Sequence, residues 1–380
     1  MGDGVVGFAS GGEICSDAEV SDDRVSTDLP AAAVVDIHTH IFPAGLEDFA
    51  LRTGDARWPS LRVDDRGDSP GAAQIMRGDE VFRPVDRRCY DLDARIEEMD
   101  RVGVQIQVLS PVPVALCSWA DPALASSFAR QQNRAISEMI SSFAAPDRFR
   151  WMGGITLQDA STAIADLEHG LALGMCGVEI GTEVGGRELD DPALFAFWDA
   201  AQQLDVAVFV HPTAGETAIR RRGQPYEFAL GMLTDTATAA TALVFGGVLD
   251  AFPELRIGLA HGCGTFPFAL PRLIRGSTLG STRLASVATA RIGALVARLW
   301  ADTLVFDQAH LPILIERFGG EHLMLGSDAP FYPADWGDPA TMLTDAVSAG
   351  LCTSTQCRGM LGANALRFIQ GAPDERTSHG

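Results

Sequence analysis

Five side chains share a chemistry and a place in the sequence. His38 and His40 end the run Ala33-Val-Val-Asp-Ile-His-Thr-His40, His211 ends Val206-Ala-Val-Phe-Val-His211, His261 ends Arg256-Ile-Gly-Leu-Ala-His261, and Asp328 ends Leu323-Met-Leu-Gly-Ser-Asp328. Each run is short and apolar, so each of the five stands at the carboxyl end of a predicted strand. Two positions apart on a strand, His38 and His40 point to the same side, within reach of one ion. Neutral imidazoles with a carboxylate are the donor set of Zn²⁺ or another divalent transition ion. One histidine at a strand end reads as a cap on a backbone carbonyl; five such positions together read as a metal site. His310 follows the seventh run and stays outside the ligand set. His169, His322 and His379 lie in helix or tail contexts and read as surface residues.

For these groups to converge, the strands must be parallel and share one mouth. Four further runs, 104–110, 151–156, 177–181 and 304–307, bring the predicted strands to eight, and amphipathic stretches separate them. In the stretch after Asp91, Leu92, Ile96 and Met99 fall on one helical face, and Asp191 is placed to cap the helix that follows it. Alternating strands and helices predict a parallel sheet, and eight units over this length predict an α/β (β/α)₈ TIM barrel occupying residues 31–372. Loops after the strands then form the catalytic mouth. The Arg-, Asp-, Gly- and Pro-rich segment 45–83 reads as a long loop inserted after the first strand, lying over that mouth. Residues 1–30 are Gly-, Ser- and acid-rich without periodicity and read as a disordered acidic extension.

Composition narrows the function. The chain has 380 residues, 29 Lys+Arg against 50 Asp+Glu, a net charge of −21 and 47% hydrophobic residues. That balance argues against nucleic acid and anionic membrane surfaces, which both reward clustered cations. The seven cysteines are scattered with no C-x-x-C pair, so a reducing cytoplasm is the expected setting. The uncharged stretch 236–249 reads as a buried helix too short to span a bilayer, and Met-Gly-Asp-Gly at the start is no signal peptide.

The motifs resemble a known family. Asp36-Ile-His-Thr-His40, Phe209-Val-His-Pro212, the run Leu259-Ala-His-Gly-Cys-Gly-Thr-Phe-Pro-Phe268 and Leu325-Gly-Ser-Asp-Ala-Pro-Phe331 are similar to the amidohydrolase superfamily, and within it to the aminocarboxymuconate-semialdehyde decarboxylase branch. The resemblance extends through Val81-Phe-Arg-Pro-Val85, Cys89 to Asp100, Leu109 to Val114 and Gly177 to Thr182.

It implies one divalent ion, Zn²⁺ by default with Mn²⁺ as an alternative, held by His38, His40, His211 and Asp328. A bound water completes the shell, its pKa lowered to about 7. His261 and Asp328 are the implied catalytic groups, with His261 exchanging the proton. Arg83 grips a substrate carboxylate, and Arg272 reaches the neighbouring subunit's site, making a homodimer the catalytic unit. Trp119 keeps its family place, as pocket wall or core residue, and Phe228 stands where the family has Trp. Glu179, where related decarboxylases carry Gln, is a candidate bridge to a second metal, although one metal is expected. Cys263, with no base of its own, reads as a packed thiol. Thr213-Ala214 replaces the usual Trp-Asp, and Asp86 replaces a basic residue. These changes fall on substrate loops, so the chemistry persists while the substrate differs. The expected activity is a metal-dependent, non-oxidative decarboxylation of an unsaturated or aromatic carboxylate. A lactone, ester or amide hydrolase, or a hydratase, is the alternative use of the same site.

Overall fold

The computed structural model describes residues 33–64, 71–213, 223, 225–279, 289–331 and 338–371. The expected extension 1–30 and His379 lie outside them. Eight parallel strands form one sheet, each hydrogen-bonded to the next in chain order: β1 (Val35–Ile41), β2 (Ile106–Pro111), β3 (Phe149–Gly154), β4 (Gly177–Gly181), β5 (Ala207–His211), β6 (Arg256–Leu259), β7 (Trp300–Asp302) and β8 (Leu323–Met324). The seam between β8 and β1 is closed by Ile37 N–H donating to Leu325 O at 3.0 Å, Asp328 N–H to His38 O at 2.8 Å and His40 N–H to Ala329 O at 2.8 Å. The result is the expected (β/α)₈ barrel.

The strands are apolar because both their faces are covered. Inside, Val35, Ile37, Val108, Met152, Phe209 and Met324 form a buried cluster. The C-terminal helix Asn364–Gln370 adds Ala365, Phe368 and Ile369 to it. The helix Leu92–Val102 begins at Asp91, whose side chain accepts from two first-turn N–H groups, and ends at Gly103 in the left-handed region. Asp191 caps a 3₁₀ turn, Pro192–Leu194, that leads into the helix Phe195–Gln203.

Three expectations change. The seventh strand is Trp300–Asp302, and residues 304–307 are irregular. The insertion after β1 is no plain loop: Pro59–Asp64, Ala72–Arg77 and Glu80–Val85 make an antiparallel sheet over a cluster with Phe42, Phe49, Trp58 and Phe128. The uncharged stretch belongs to a 20-residue helix, Tyr226–Phe245, long and apolar enough by length and composition to cross a membrane. Its Asp235, Thr236, Ala239, Ala240, Leu243 and Val244 are buried within the fold.

Candidate metal centre and its cavity

At the carboxyl end of the barrel the predicted ligands converge. His38 Nε2 lies 3.2 Å from His40 Nε2. The His211 ring centroid is 4.9 Å from that of His38 and 4.8 Å from that of His40. Asp328 Oδ1 stands 3.0 Å from His40 Nε2 and 3.5 Å from His38 Nε2. One donor atom from each of the four lies within 4.8 Å of the others, and all four residues are buried.

The hydrogen bonds of the imidazoles decide which nitrogen faces inward. His38 Nδ1 is 2.6 Å from Asp302 Oδ2, His40 Nδ1 is 3.0 Å from Pro111 O, and His211 Nδ1 is 2.7 Å from Pro212 O. A carbonyl or carboxylate oxygen only accepts, so each Nδ1 carries the proton and each Nε2 keeps its lone pair. His211 Nε2 is buried without a hydrogen-bond partner. Three lone pairs and a carboxylate around one point fit a divalent ion. His261 differs. Its Nε2 is 3.9 Å from Asp328 Oδ2, and its buried Nδ1 has no partner, so neither tautomer is imposed on it. That freedom suits a proton carrier.

Asp302 escaped the sequence reading. Fully buried, it accepts from His38 Nδ1 and from the backbone N–H groups of His261 and Gly262, both at 2.8 Å. It therefore orients the His38 ring and the His261 turn at once. Asp36 performs a similar task across the seam, accepting from Ser327 Oγ at 2.5 Å and from the His38 and Ser327 N–H groups. The buried Arg95 guanidinium donates to His40 O and, at 3.3 Å, to Ala329 O. His261, Cys263 and Asp328 have φ of 58°, 66° and 57°. Such left-handed conformations cost ordinary residues energy and gather at functional sites. Gly264 is needed for space as well: a Cβ there would stand 2.1 Å from Leu233 O.

Burial sets the charges. It pushes the Asp36 carboxyl up to about 7 and pulls the Arg95 guanidinium down to about 10. It holds the His38 imidazole below its ordinary value despite Asp302, and with the neighbouring imidazoles it holds His211 well below. For His40 burial also acts downward, but Glu179 and Asp328 outweigh it and the net shift is up. Burial likewise lifts Glu179 to about 8. Asp328 is held well below the carboxylate range, its burial overcome by the neighbouring imidazoles of His261, His40 and His38.

Above the centre opens a cavity of about 860 Å³. His211, His261 and Asp328 line it, with Arg83, Phe228 and Phe331 in its wall. Arg83 stacks 4.3 Å over Phe331 and 5.6 Å over Phe228, and it forms no ion pair among the described residues. Asp86 instead caps the next turn and pairs with Arg88. Trp119 lies away from the cavity, 5.1 Å from Trp58 and with the Arg57 guanidinium 4.0 Å over its ring, so it belongs to the core under the insertion. Arg272 is exposed on the helix Phe266–Ser277 and does not line this cavity. Glu179 Oε2 stands 3.6 Å from His40 Nδ1, on the side turned away from the ligand atoms. Cys263 is fully buried, its thiol pushed well up by burial, and packs as expected. His322 is half-buried, stacked 4.3 Å from Trp300, where a surface position was expected.

An amidohydrolase family profile matches residues 35–370. The chain belongs to the amidohydrolase family. It is 33% identical over 344 residues to a 2-amino-3-carboxymuconate-6-semialdehyde decarboxylase of Dictyostelium discoideum, covering 90% of this chain and 92% of that one. The Caenorhabditis elegans protein of the same name is 27% identical over 350 residues, covering 78% and 85%. The amidohydrolase chain thus falls in the decarboxylase branch, as the motifs implied. A crystal structure of 5-carboxyvanillate decarboxylase from Sphingomonas paucimobilis shares the fold, with a TM-score of 0.73 at 23% identity over 90% of this chain and 99% of that one. A dihydroxybenzoic acid decarboxylase from Polaromonas sp., with bound manganese, gives 0.68 at 21% identity over 90% and 97%.

Proposed function

We propose that this amidohydrolase carries out metal-dependent, non-oxidative decarboxylation of an unsaturated or aromatic carboxylate. The observation that carries the reading is the inward set of three Nε2 lone pairs and one carboxylate, with an untethered His261 beside it. An ion would be held by His38, His40, His211 and Asp328, and would supply Lewis acidity toward a substrate oxygen. Arg83, already stacked between two phenyl rings, grips the substrate carboxylate. The largely apolar walls exclude water from that charge, which favours its departure as neutral CO₂. His261 delivers a proton to the carbon that bears the carboxylate. The C–C bond breaks, its electron pair takes that proton, CO₂ leaves, and His261 is reprotonated from water. Asp328, 3.9 Å away through Oδ2, stabilises the charged imidazolium before its proton is delivered and after it is restored.

The ion is Zn²⁺ by the rule for imidazole-rich sets, with Mn²⁺ as the alternative, and one ion per site. Arg272 acts in a homodimer. Phe268, one helical turn before it on the same face, is 85% exposed, as a surface awaiting a partner would be. The setting is the cytoplasm, in keeping with six free cysteines among the described residues.

Elemental analysis of the purified protein, followed by CO₂ release from aminocarboxymuconate semialdehyde and hydroxybenzoates, tests the reading. CO₂ from at least one of these acids is expected. Its absence with all of them, combined with ¹⁸O from labelled water in the organic product of an ester, lactone or alkene, would favour the hydrolase or hydratase reading.

A further inference from the structure

The helix Leu92–Val102 buries a charge. Arg95 lies on the face that also carries Leu92 and Met99, and it is 1% exposed. Taking a guanidinium out of water is expensive, and packing alone is served by an apolar residue of similar size. The reason for an arginine lies in what it donates to. Nη2 donates to His40 O, and Nη1 donates to Ala329 O at 3.3 Å and to Gln107 Oε1 at 3.5 Å.

Both carbonyls belong to segments that carry candidate ligands: His40 is one itself, and Ala329 follows Asp328. The His40 N–H donates to the same Ala329 O at 2.8 Å. The guanidinium therefore closes a circuit that runs from its own N–H to Ala329 O, back through the His40 N–H to the His40 carbonyl, and to the guanidinium again. Beside that circuit His40 Nε2 and Asp328 Oδ1 stand 3.0 Å apart. Asp328 has φ of 57°, a conformation that an ordinary residue keeps only when its surroundings fix it, and Arg95 fixes the carbonyl one residue on. Asp36 acts on the same two segments with the opposite charge, accepting from the His38 N–H at 3.3 Å and the Ser327 N–H at 3.1 Å. A buried anion thus takes N–H groups at 38 and 327, and a buried cation gives to C=O groups at 40 and 329.

We infer that Arg95 is a positioning residue of the candidate metal centre: by holding the His40 and Ala329 carbonyls together, it fixes the spacing of His40 and Asp328 for one divalent ion. The inference rests on the proposed reading for the presence of that ion.

Charge and position give opposite signs. A cation near a cation site repels the ion, so loss of the guanidinium charge alone would tighten metal binding. Loss of its hydrogen bonds frees the ligand spacing and weakens binding.

The test is withdrawal of Zn²⁺ from the loaded full-length chain by a chromophoric chelator, for the unaltered protein, Arg95→Met and Arg95→Lys. Arg95→Met binds Zn²⁺ about 10- to 100-fold more weakly, the usual effect of removing a group that orients a ligand from behind. Arg95→Lys, a point charge without the planar fork, loses less. With Co²⁺ in place of Zn²⁺, the visible absorption reads ligand geometry directly, and it shifts in Arg95→Met. Leu243→Ala, at a buried position on the helix Tyr226–Phe245, controls for general destabilisation. It unfolds at lower urea yet keeps the Zn²⁺ affinity and Co²⁺ spectrum of the unaltered protein.

Equal or tighter Zn²⁺ binding in Arg95→Met, an unshifted Co²⁺ spectrum, or an equal loss of affinity in Leu243→Ala would overturn the inference. Should Arg95→Met fail to fold, Arg95→Lys decides: weaker Zn²⁺ binding than in the unaltered protein supports the positioning role, and equal binding overturns it. An unaltered protein that takes up neither ion would overturn the proposed metal-dependent reading and this inference together. Uptake that is the same with and without the guanidinium overturns this inference alone.

Discussion

His38 Nδ1 and Asp302 Oδ2 meet at 2.6 Å with both side chains out of contact with solvent. The same carboxylate receives the His261 and Gly262 N–H groups, so one buried acid sets which nitrogen of His38 faces inward and holds the turn that carries His261. Asn at this position offers one oxygen for four donors, and its amide would face either His38 Nδ1 and the His261 N–H or the Gly262 and Leu304 N–H groups. Asp302→Asn is expected to weaken metal affinity about 10- to 100-fold, read by competition with a chromophoric chelator. Unchanged affinity would show that the contact does not orient His38.

His261 contributes nothing to the inward lone-pair set. His261→Asn should retain its full complement of metal while turnover falls by about 10²- to 10⁴-fold, the usual worth of a positioned acid–base group. Loss of metal in this variant would make His261 a ligand.

The pH behaviour of metal binding follows from His40. A protonated His40 cannot donate its Nε2 lone pair, and its pKa is raised, with burial opposing and Glu179 then Asp328 favouring the cation. Affinity is therefore complete at pH above that raised value and is lost as pH falls through it. Glu179→Gln removes the largest upward influence, so the variant should hold its metal to lower pH than the parent. A midpoint that moves upward, measured by metal release across a pH series, would contradict this.

Arg83 is fixed by ring stacking and pairs with no acid among the described residues. Arg83→Met should lower kcat/KM about 10- to 100-fold, the loss of a charge-assisted hydrogen bond worth about 1.5–3 kcal/mol. The change should fall mainly on KM. An effect on kcat alone would place Arg83 outside the binding of the ground-state carboxylate.

Gly264 combines a φ of 59° with the close Leu233 carbonyl. Gly264→Ala should cost at least about 2 kcal/mol in urea denaturation, since positive φ and a backbone clash add. A smaller loss would mean that the helix Tyr226–Phe245 yields without cost.

Legibility in the sequence followed local contrast. His38, His40, His211, His261 and Asp328 each end an apolar run, and that break from apolar to titratable is visible one residue at a time. Asp302 ends a run too, but Trp300-Ala-Asp302 is only three residues long, while Leu304-Val-Phe306 beside it has the stronger apolar signal. The strand was therefore expected too late, and its acid was hidden. The insertion's sheet was masked for a related reason: in Ala72–Arg77 buried and exposed positions do not alternate strictly, and Arg, Asp and Gly dominate the surrounding composition. Trp119 shows the limit of place in a motif. Its partners, Trp58 and Arg57, come from the insertion, whose fold no local pattern announced.

The seam of the barrel has a consequence for biosynthesis. Asp36 and Ser327 hold each other across 291 positions of the chain. On the ribosome, the early histidines emerge long before the carboxylate that completes their set, and the cylinder has no eighth stave until then. Half-made chains thus lack the last member of the candidate donor set, and all four groups stand together only once the chain is nearly finished.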